Sequence, residues 1–212
     1  MLNGFKYWEA PESEVAGLFP GVRSCDLCGQ ESRCFDLARA IQPTGATASA
    51  GCFSCLRLGR FGFFHVTTMG YLDEQGLTWY GDDEPEEEPR EFVVDASGTA
   101  TSRAVERLIS PRSEVPQEAV VELRRTPDFP TWNEVSWPFH CSDFMIYLGT
   151  WQPRDVRRAA AERHRSPAGV FAEMVEGGEE RLWQEAEEEW SITFHAFRCV
   201  ACRALKGAVD LD

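Results

Sequence analysis

Apolar positions along the chain follow two periods, and the first of them predicts β-hairpins. Residues 61–66 and 70–80 are rich in aromatic and β-branched side chains and contain a turn sequence, which predicts a hairpin. Residues 190–198 alternate apolar and polar side chains up to Cys199, and residues 204–211 are expected to pair back across them. The C-terminal end is therefore predicted to be a second hairpin with cysteines at its tip.

The second period, with apolar residues three or four positions apart, predicts helices between these hairpins. Residues 116–125 begin with a proline, which suits the first turn of a helix, and end before another proline. Further helices are predicted at 141–148 and 153–164, and Ser166 is predicted to cap a following one. The helix at 153–164 is rich in arginine and residues 173–189 are rich in acids, so weak exposed ion pairs between them are expected.

Length and composition indicate an ordinary globular protein. The chain has 212 residues, of which 43% are hydrophobic and 12% aromatic, and this is enough for one sizeable core. No apolar run approaches the roughly 20 residues that cross a bilayer, and the N-terminus lacks the apolar stretch of a signal peptide. We therefore expect a cytoplasmic protein without a membrane partner.

The net charge of −14 restricts the partners that this protein is expected to bind. Affinity for nucleic acid comes mainly from Lys and Arg neutralising phosphates, so a role as a nucleic-acid adaptor is disfavoured. An acidic surface suits a cationic protein partner, although solubility alone explains the charge equally well. Residues 82–91 hold seven acids and two prolines without periodicity, which predicts a solvated loop.

Cysteine spacing points to metal chemistry. Six of the eight cysteines form three Cys-x-x-Cys pairs, namely Cys25 and Cys28, Cys52 and Cys55, and Cys199 and Cys202. In a reducing cytosol such pairs are more often metal ligands than disulfides. Two pairs supply the four sulfurs of a tetrahedral zinc site, so we expect one Zn²⁺, or two.

The first two pairs form our preferred zinc site, in which Cys25, Cys28, Cys52 and Cys55 hold one ion. Gly29 follows the second sulfur, where such a knuckle needs a backbone that glycine adopts easily. The 23 residues between the pairs leave room for a hairpin or loop that returns the chain to the first knuckle. Three arginines are predicted to balance the negative charge of the thiolates: Arg23, Arg57 and Arg60.

The third pair, Cys199 and Cys202, has several possible partners. It could complete a site with the first pair and leave the second pair unbound, or recruit His140, Cys141 or His195 to a second zinc. Adjacent His140 and Cys141 are expected not to bind one ion together. Cys34, outside any pair, is expected to be a small apolar core residue.

Enzymatic alternatives are weaker on sequence grounds. A catalytic zinc normally has three protein ligands, often including His and carboxylates, and an open position, and no such set is evident. A dithiol oxidoreductase needs one reactive pair between a strand and a long helix, and three pairs without a clear βαβ pattern argue against it. We expect a protein that is not an enzyme, with a dithiol oxidoreductase or a zinc-dependent enzyme as the alternative.

An ordered set of short motifs runs nearly from one end of the chain to the other. The motifs are Phe5-Lys6-Tyr7, Cys25 to Gly29, Cys52 with Cys55, Arg125-Thr126-Pro127-Asp128-Phe129 with Trp132 and Trp137, His140-Cys141-Ser142-Asp143 with Leu148-Gly149, and Phe197-Arg198-Cys199 to Cys202 with Asp210 and Asp212. This set resembles the CbrC family of bacterial cytoplasmic proteins, which is named for a link to colicin tolerance. The chain departs from that pattern at Arg203, where glycine is expected, at the sequence around the second pair, and in an insertion within 61–119.

The resemblance carries an expectation about function. It implies no established enzymatic activity, and the link to colicin tolerance suggests protection against a bacterial toxin. Because many nuclease toxins are basic, we expect an immunity or tolerance factor that binds and neutralises a basic toxin domain through its acidic surface.

Together the patterns predict an α+β fold built as a single domain over 1–212. A zinc-ribbon or knuckle-like lobe with antiparallel hairpins is expected to be closed by the C-terminal hairpin that carries the third pair. The predicted sub-regions are the zinc-binding lobe at 1–62, a hairpin plus acidic loop insertion at 63–115, a helical segment at 116–190 and the C-terminal hairpin returning to the zinc lobe at 191–212.

Overall fold

The computed structural model describes most of the chain. The described residues are 4–43, 45–74, 76–78, 115–132, 135–175, 183–184, 187 and 193–210, with the backbone alone for 90–94 and 100–104. The predicted acidic loop at 82–91 lies outside them apart from the backbone of its last two positions, as does most of the acidic stretch after Met174.

Short helices and antiparallel strands alternate along the described chain, which confirms the α+β class. The helices are α1 (Phe53–Arg57), α2 (Gln117–Arg124), α3 (Pro153–Glu162) and α4 (Pro167–Met174), with a 3₁₀ turn at Glu12–Glu14. The strands are β1 (Arg23–Ser24), β2 (Glu31–Ser32), β3 (Cys34–Asp36), β4 (Ala50–Cys52), β5 (His65–Thr67), β6 (Gly70–Leu72), β7 (Leu77–Thr78), β8 (Arg90–Val94), β9 (Ala100–Ala104), β10 (Phe139–His140), β11 (Asp143–Phe144), β12 (Ile146–Thr150), β13 (Thr193–Arg198) and β14 (Leu205–Asp210).

Three of the four predicted helices are confirmed, and local capping explains where they begin. Helix α2 starts directly after Pro116, and α3 starts with a capping box in which the Asp155 carboxylate accepts from the Gln152 N–H at 2.9 Å. Helix α4 starts after Ser166, whose Oγ accepts from the Gly169 N–H at 3.0 Å. These ends depend on neighbouring residues only, which is why the sequence predicts them.

The predicted helix at 141–148 is wrong, because this segment forms strands β11 and β12. Cys141 and Ser142 have positive φ angles of 52° and 62°, and together they make a two-residue turn that joins β10 to β11. That turn reverses the chain where a helix would continue it. Strand β12 then pairs with β13, so the segment predicted as helical between 116 and 190 contains a sheet in its middle.

Antiparallel pairing confirms both predicted hairpins. Strands β13 and β14 pair along their full length around Cys199 to Cys202, and β12 adds a third strand to this sheet. Strands β6 and β7 enclose the turn at 73–76, where the Asp73 N–H donates to the Gly76 carbonyl at 2.9 Å, and β5 pairs with β6.

The main hydrophobic core joins the N-terminal lobe to the C-terminal sheet. Cys25, Cys55 and Cys199 all belong to this one cluster of buried residues, although they come from opposite ends of the chain. Other residues of β13 pack against α3 and α4 in a second cluster of buried residues. The C-terminal hairpin therefore returns to the lobe that holds the first two cysteine pairs. The limits of the four predicted sub-regions stay a prediction.

Arginine residues of the α3 region pair with acids that follow them in the chain. Arg157 forms an ion pair with Glu187, and Arg165 forms one with Glu173. Both arginines are about half exposed, so each pair is worth less than about 1 kcal/mol. The predicted attraction between the basic helix and the acidic stretch is therefore present in these two pairs.

A buried polar network crosses the C-terminal sheet. His195 is fully buried on β13, with its Nδ1 3.1 Å from the Tyr147 hydroxyl and its Nε2 3.7 Å from an Asp210 carboxylate oxygen. The Tyr147 hydroxyl lies 3.4 Å from a Glu14 carboxylate oxygen. Burial lowers the pKa of His195, and this effect outweighs the opposite influence of Asp210, Glu14 and Asp128.

The buried histidine predicts a specific pH dependence of stability. In the unfolded chain this ring takes up a proton as the pH falls below about 6.5, whereas the folded protein resists that proton. The free energy of unfolding is therefore expected to fall from about pH 7.5 to about pH 5.5, by up to about 1.4 kcal/mol per pH unit from this group. His195→Gln should have a shallower pH slope in urea denaturation, and His164→Gln, which changes an exposed histidine, should keep the wild-type slope. Equal slopes for the two variants would contradict this role for His195.

Candidate metal centres

The structure brings together the four cysteines of the first two pairs. Their sulfur atoms all lie within 4.8 Å of one another, with 3.8 Å between Cys25 and Cys55 and 3.7 Å between Cys28 and Cys52. A tetrahedral ion with metal–sulfur bonds of about 2.3 Å, as in zinc sites, places its sulfurs about 3.8 Å apart. The four thiols therefore fit one tetrahedral metal ion.

Two local structures position these sulfurs. In the first, the Cys25 N–H donates to the Gln30 carbonyl at 2.9 Å and Gly29 adopts a φ of 71°, which turns the chain tightly around the first pair. In the second, Cys52 ends β4 and is followed at once by α1, which carries Cys55. Pairing of β3 with β4 returns the chain from the first knuckle to the second, as the spacing predicts.

Asp26 joins the two knuckles and is a residue that the sequence reasoning missed. Its carboxylate accepts hydrogen bonds from the backbone N–H groups of Ser49 at 2.8 Å and Ala50 at 2.9 Å, next to the second pair. These two hydrogen bonds lower the pKa of Asp26. An acid between two knuckle cysteines is the signal that could have indicated such a clamp.

Hydrogen bonds favour the thiolate form of Cys25, whereas burial raises the pKa of Cys52 and of Cys55. Burial acts to raise the pKa of Cys25, but N–H groups of Cys52 and Leu27 outweigh it and lower the pKa to about 7. The Cys52 N–H lies 3.3 Å from the Cys25 sulfur. Arg60 donates to the Leu27 carbonyl at 2.9 Å and lies 3.8 Å from the Cys55 sulfur, as predicted for a cation near this site.

The other two arginines predicted near this site have further contacts, and the charge of Arg23 also helps to lower the pKa of Asp26. The Arg23 guanidinium lies over the ring of Phe19, at 3.9 Å from its centre. The Arg57 guanidinium lies against Gly4, where an added Cβ would be 2.6 Å from it.

The third pair meets His140 and Cys141 in a second group. One ligand atom from each of His140, Cys141, Cys199 and Cys202 lies within 4.8 Å of the others. The His140 Nδ1 is 3.5 Å from the Cys202 sulfur, and a tetrahedral zinc with bonds of about 2.3 Å to sulfur and about 2.0 Å to nitrogen gives about 3.5 Å for this separation.

One sequence expectation about this second group needs correction, and the structure favours one of the alternatives left open. His140 and Cys141 do face one common point, because the left-handed turn at Cys141 and Ser142 bends the chain between their side chains. The third pair is also grouped with them, and not with Cys25 and Cys28 or with His195. Of the alternatives left open for the third pair, the structure therefore favours a separate group.

The third pair has the backbone of a knuckle despite the arginine that follows it. The Cys199 N–H donates to the Ala204 carbonyl at 2.8 Å, as Cys25 does to the residue five positions on. Arg203 adopts a φ of 63°, close to the 71° of Gly29 at the matching position. Arginine in place of glycine thus leaves the knuckle shape unchanged.

Cys34 lies outside both groups. It is fully buried, and its sulfur is 3.5 Å from the Ser32 carbonyl oxygen. Burial, together with the nearby Cys25 and Cys52, raises the pKa of Cys34 to about 11, so this thiol keeps its proton at neutral pH. The structure is consistent with the small apolar core residue that the sequence predicts.

Fold and site together define an α+β protein with two Cys-rich groups, each of which could hold a metal ion in a knuckle-like arrangement. The chain belongs to the uncharacterised protein family UPF0167, whose family model matches residues 2–211. Comparisons with curated proteins and with solved structures give no match. Among the residues that the structure describes, every helix is too short or too polar to cross a bilayer.

Proposed function

We propose that this protein is a zinc-stabilised, non-enzymatic protein of the bacterial cytoplasm that binds and neutralises a protein toxin through an acidic surface. One observation carries the non-enzymatic part of the proposal. Each Cys-rich group offers four protein ligand atoms, which is the full coordination of a structural zinc. Catalytic zinc sites instead keep a position for water, and the composition of these two groups leaves none.

Zinc is the metal that this ligand chemistry favours. Tetrahedral sets of thiolates, alone or with imidazole, select zinc or iron over the hard ions magnesium and calcium. The imidazole of His140 among three thiolates suits a mononuclear zinc knuckle in particular. Native mass spectrometry of purified protein is expected to show zinc bound to the intact chain and lost in acid.

Charge supports a basic protein as the partner. The chain carries 35 acidic against 21 basic side chains. Some of its basic side chains, such as Arg157 and Arg165 of the α3 region, already pair with acids of the same chain. The resemblance of the ordered motifs to the CbrC family, linked to colicin tolerance, points to a toxin as that partner. Opposite charge would speed the encounter and make binding depend on salt.

Co-expression with toxin domains encoded beside its gene tests this proposal. The protein is expected to retain one such domain in a pull-down and to reduce its lethality. Changing Glu86, Glu87 and Glu88 to Gln should weaken capture at low salt, whereas Cys34→Ser should leave capture unchanged. If every neighbouring toxin is neither retained nor less lethal, the proposed function is wrong.

Dithiol chemistry is the second candidate function, because one thiol combines a low pKa with an exposed neighbour. Burial acts to raise the pKa of Cys199, but the N–H of Cys202 and the His140 side chain outweigh it and lower the pKa to about 6. Cys202 is exposed three residues further along. A zinc-loaded protein that is inert towards dithiol oxidants would exclude this alternative, since a reactive pair must be free of metal to cycle.

A further inference from the structure

We propose that His140, Cys141, Cys199 and Cys202 bind a second Zn²⁺ at the protein surface, and that this ion exchanges with chelators in solution while the ion of Cys25, Cys28, Cys52 and Cys55 stays in place. The inference concerns metal chemistry alone and does not depend on toxin binding. It assigns different roles to the two groups: one holds the core together, and the other is an accessible metal site.

Backbone strain marks the second group as a built site. Among the described residues four non-glycine positions have a positive φ, and three of them, Cys141, Ser142 and Arg203, lie in the two turns that form this group. Such conformations are unfavourable for residues with a Cβ and persist where the surroundings impose them. Both turns carry ligand atoms of this one group, so most of this strain lies at the residues that would bind the ion.

Contacts outside the ligands hold both turns in position. Asp143, which follows the first turn, binds the Tyr7 hydroxyl and lies 2.6 Å from the Lys6 ammonium. Arg163 of the segment after α3 donates to the Arg203 carbonyl at 2.5 Å, which fixes the second turn. The ligand atoms therefore converge without help from the ion, and the site is ready to accept a metal from solution.

The two groups differ in how far their cysteines are exposed to solvent. Cys25, Cys52 and Cys55 are at most 2% exposed, and the Arg60 side chain lies over the first group. Cys141 and Cys202 are exposed to solvent, and only Cys199 of the second group is buried. A chelator exchanges a bound metal by displacing one ligand at a time, so the two exposed sulfurs of the second group give it more access than Cys28, the one partly exposed sulfur of the first group.

Zinc counting and release kinetics test the proposal on the full-length protein. Native mass spectrometry should find two zinc ions per wild-type chain, two in Cys34→Ser and one in Cys202→Ser. Mixed with the chromogenic chelator 4-(2-pyridylazo)resorcinol, wild-type protein should release one equivalent in a fast phase and the other in a slow phase. Cys202→Ser should lose the fast phase only, because its substituted side chain is exposed and outside the first group.

Several outcomes would overturn the proposal. One zinc per wild-type chain, two zinc ions in Cys202→Ser, or release of both ions in a single phase would each do so. Should Cys202→Ser fail to fold, His140→Asn provides the second variant, and the wild-type count and release phases decide the question without any variant. Two zinc ions with no toxin captured would leave this inference standing and refute the proposed function, so the two failures are distinguishable.

Discussion

Cys25→Ser is expected to lower the melting temperature of the protein far more than Cys34→Ser. Cys25 is fully buried, its sulfur lies 3.8 Å from that of Cys55, and it would be one of four ligands to a structural ion. Zinc binds the folded chain and stabilises it, so loss of a ligand removes binding free energy that is also folding free energy. We expect a loss of more than about 4 kcal/mol, which is exceptional for one substitution and typical of a lost metal site.

Cys34 is a closely matched control for this experiment. It is as fully buried as Cys25 and belongs to the same core, and it pairs directly with Cys52 across β3 and β4. A serine hydroxyl there can donate to the carbonyls of Ser32 or Arg23 that the thiol now faces, so the cost should be about 1 kcal/mol. Thermal unfolding gives the melting temperatures, and mass spectrometry should show that Cys25→Ser alone loses zinc from the first group. Equal melting temperatures for the two variants would refute the assignment of Cys25 as a ligand.

The parts of the fold that could be predicted are those fixed by nearby residues. Pro116 and Ser166 mark where α2 and α4 begin, because a helix start is decided by the residues within its first turn. The alternation after residue 193 predicts the last hairpin for the same reason. The first cysteine group also follows from short spacing, since β3 and β4 form a local return between its two knuckles.

The sequence leaves the second group as one of several alternatives, because its members are distant in the sequence and one turn gives no ordinary signal. Cys199 lies 58 positions after Cys141, and only the pairing of β12 with β13 brings them together. Two-residue hairpin turns of this kind usually contain Asn or Gly, whereas here they contain Cys141 and Ser142. The apolar residues that follow therefore predict a helix, which puts Cys141 at a helix end. A knuckle pair needs two further ligands, and the third pair has none near it in the sequence. This is the signal that points to more distant residues such as His140 and Cys141.

An aromatic cluster packs the C-terminal sheet that carries part of the second Cys-rich group. Phe129 is buried at its centre, stacked on Tyr147 with ring centres 4.3 Å apart and 5.7 Å from the ring of Phe197. Tyr147 lies on β12 and Phe197 on β13, the strands that lead to the second group. Packing here therefore supports the hairpin that carries Cys199, independently of any metal.

Phe129→Ala is accordingly expected to destabilise the protein by about 3–5 kcal/mol, because the lost ring leaves a cavity among side chains that cannot close around it. Phe64→Ala removes the same atoms from a ring that is 45% exposed and should cost less than about 1 kcal/mol. Urea denaturation measures both changes, and the zinc content of the folded variants separates packing from metal binding. Phe129 is not a ligand, so its variant should keep the wild-type zinc count while folded. Phe129→Ala is therefore expected to lose much stability and retain its metal, whereas Cys25→Ser should lose both. If Phe129→Ala cost no more than Phe64→Ala, the aromatic cluster would not be a main source of stability for the C-terminal sheet.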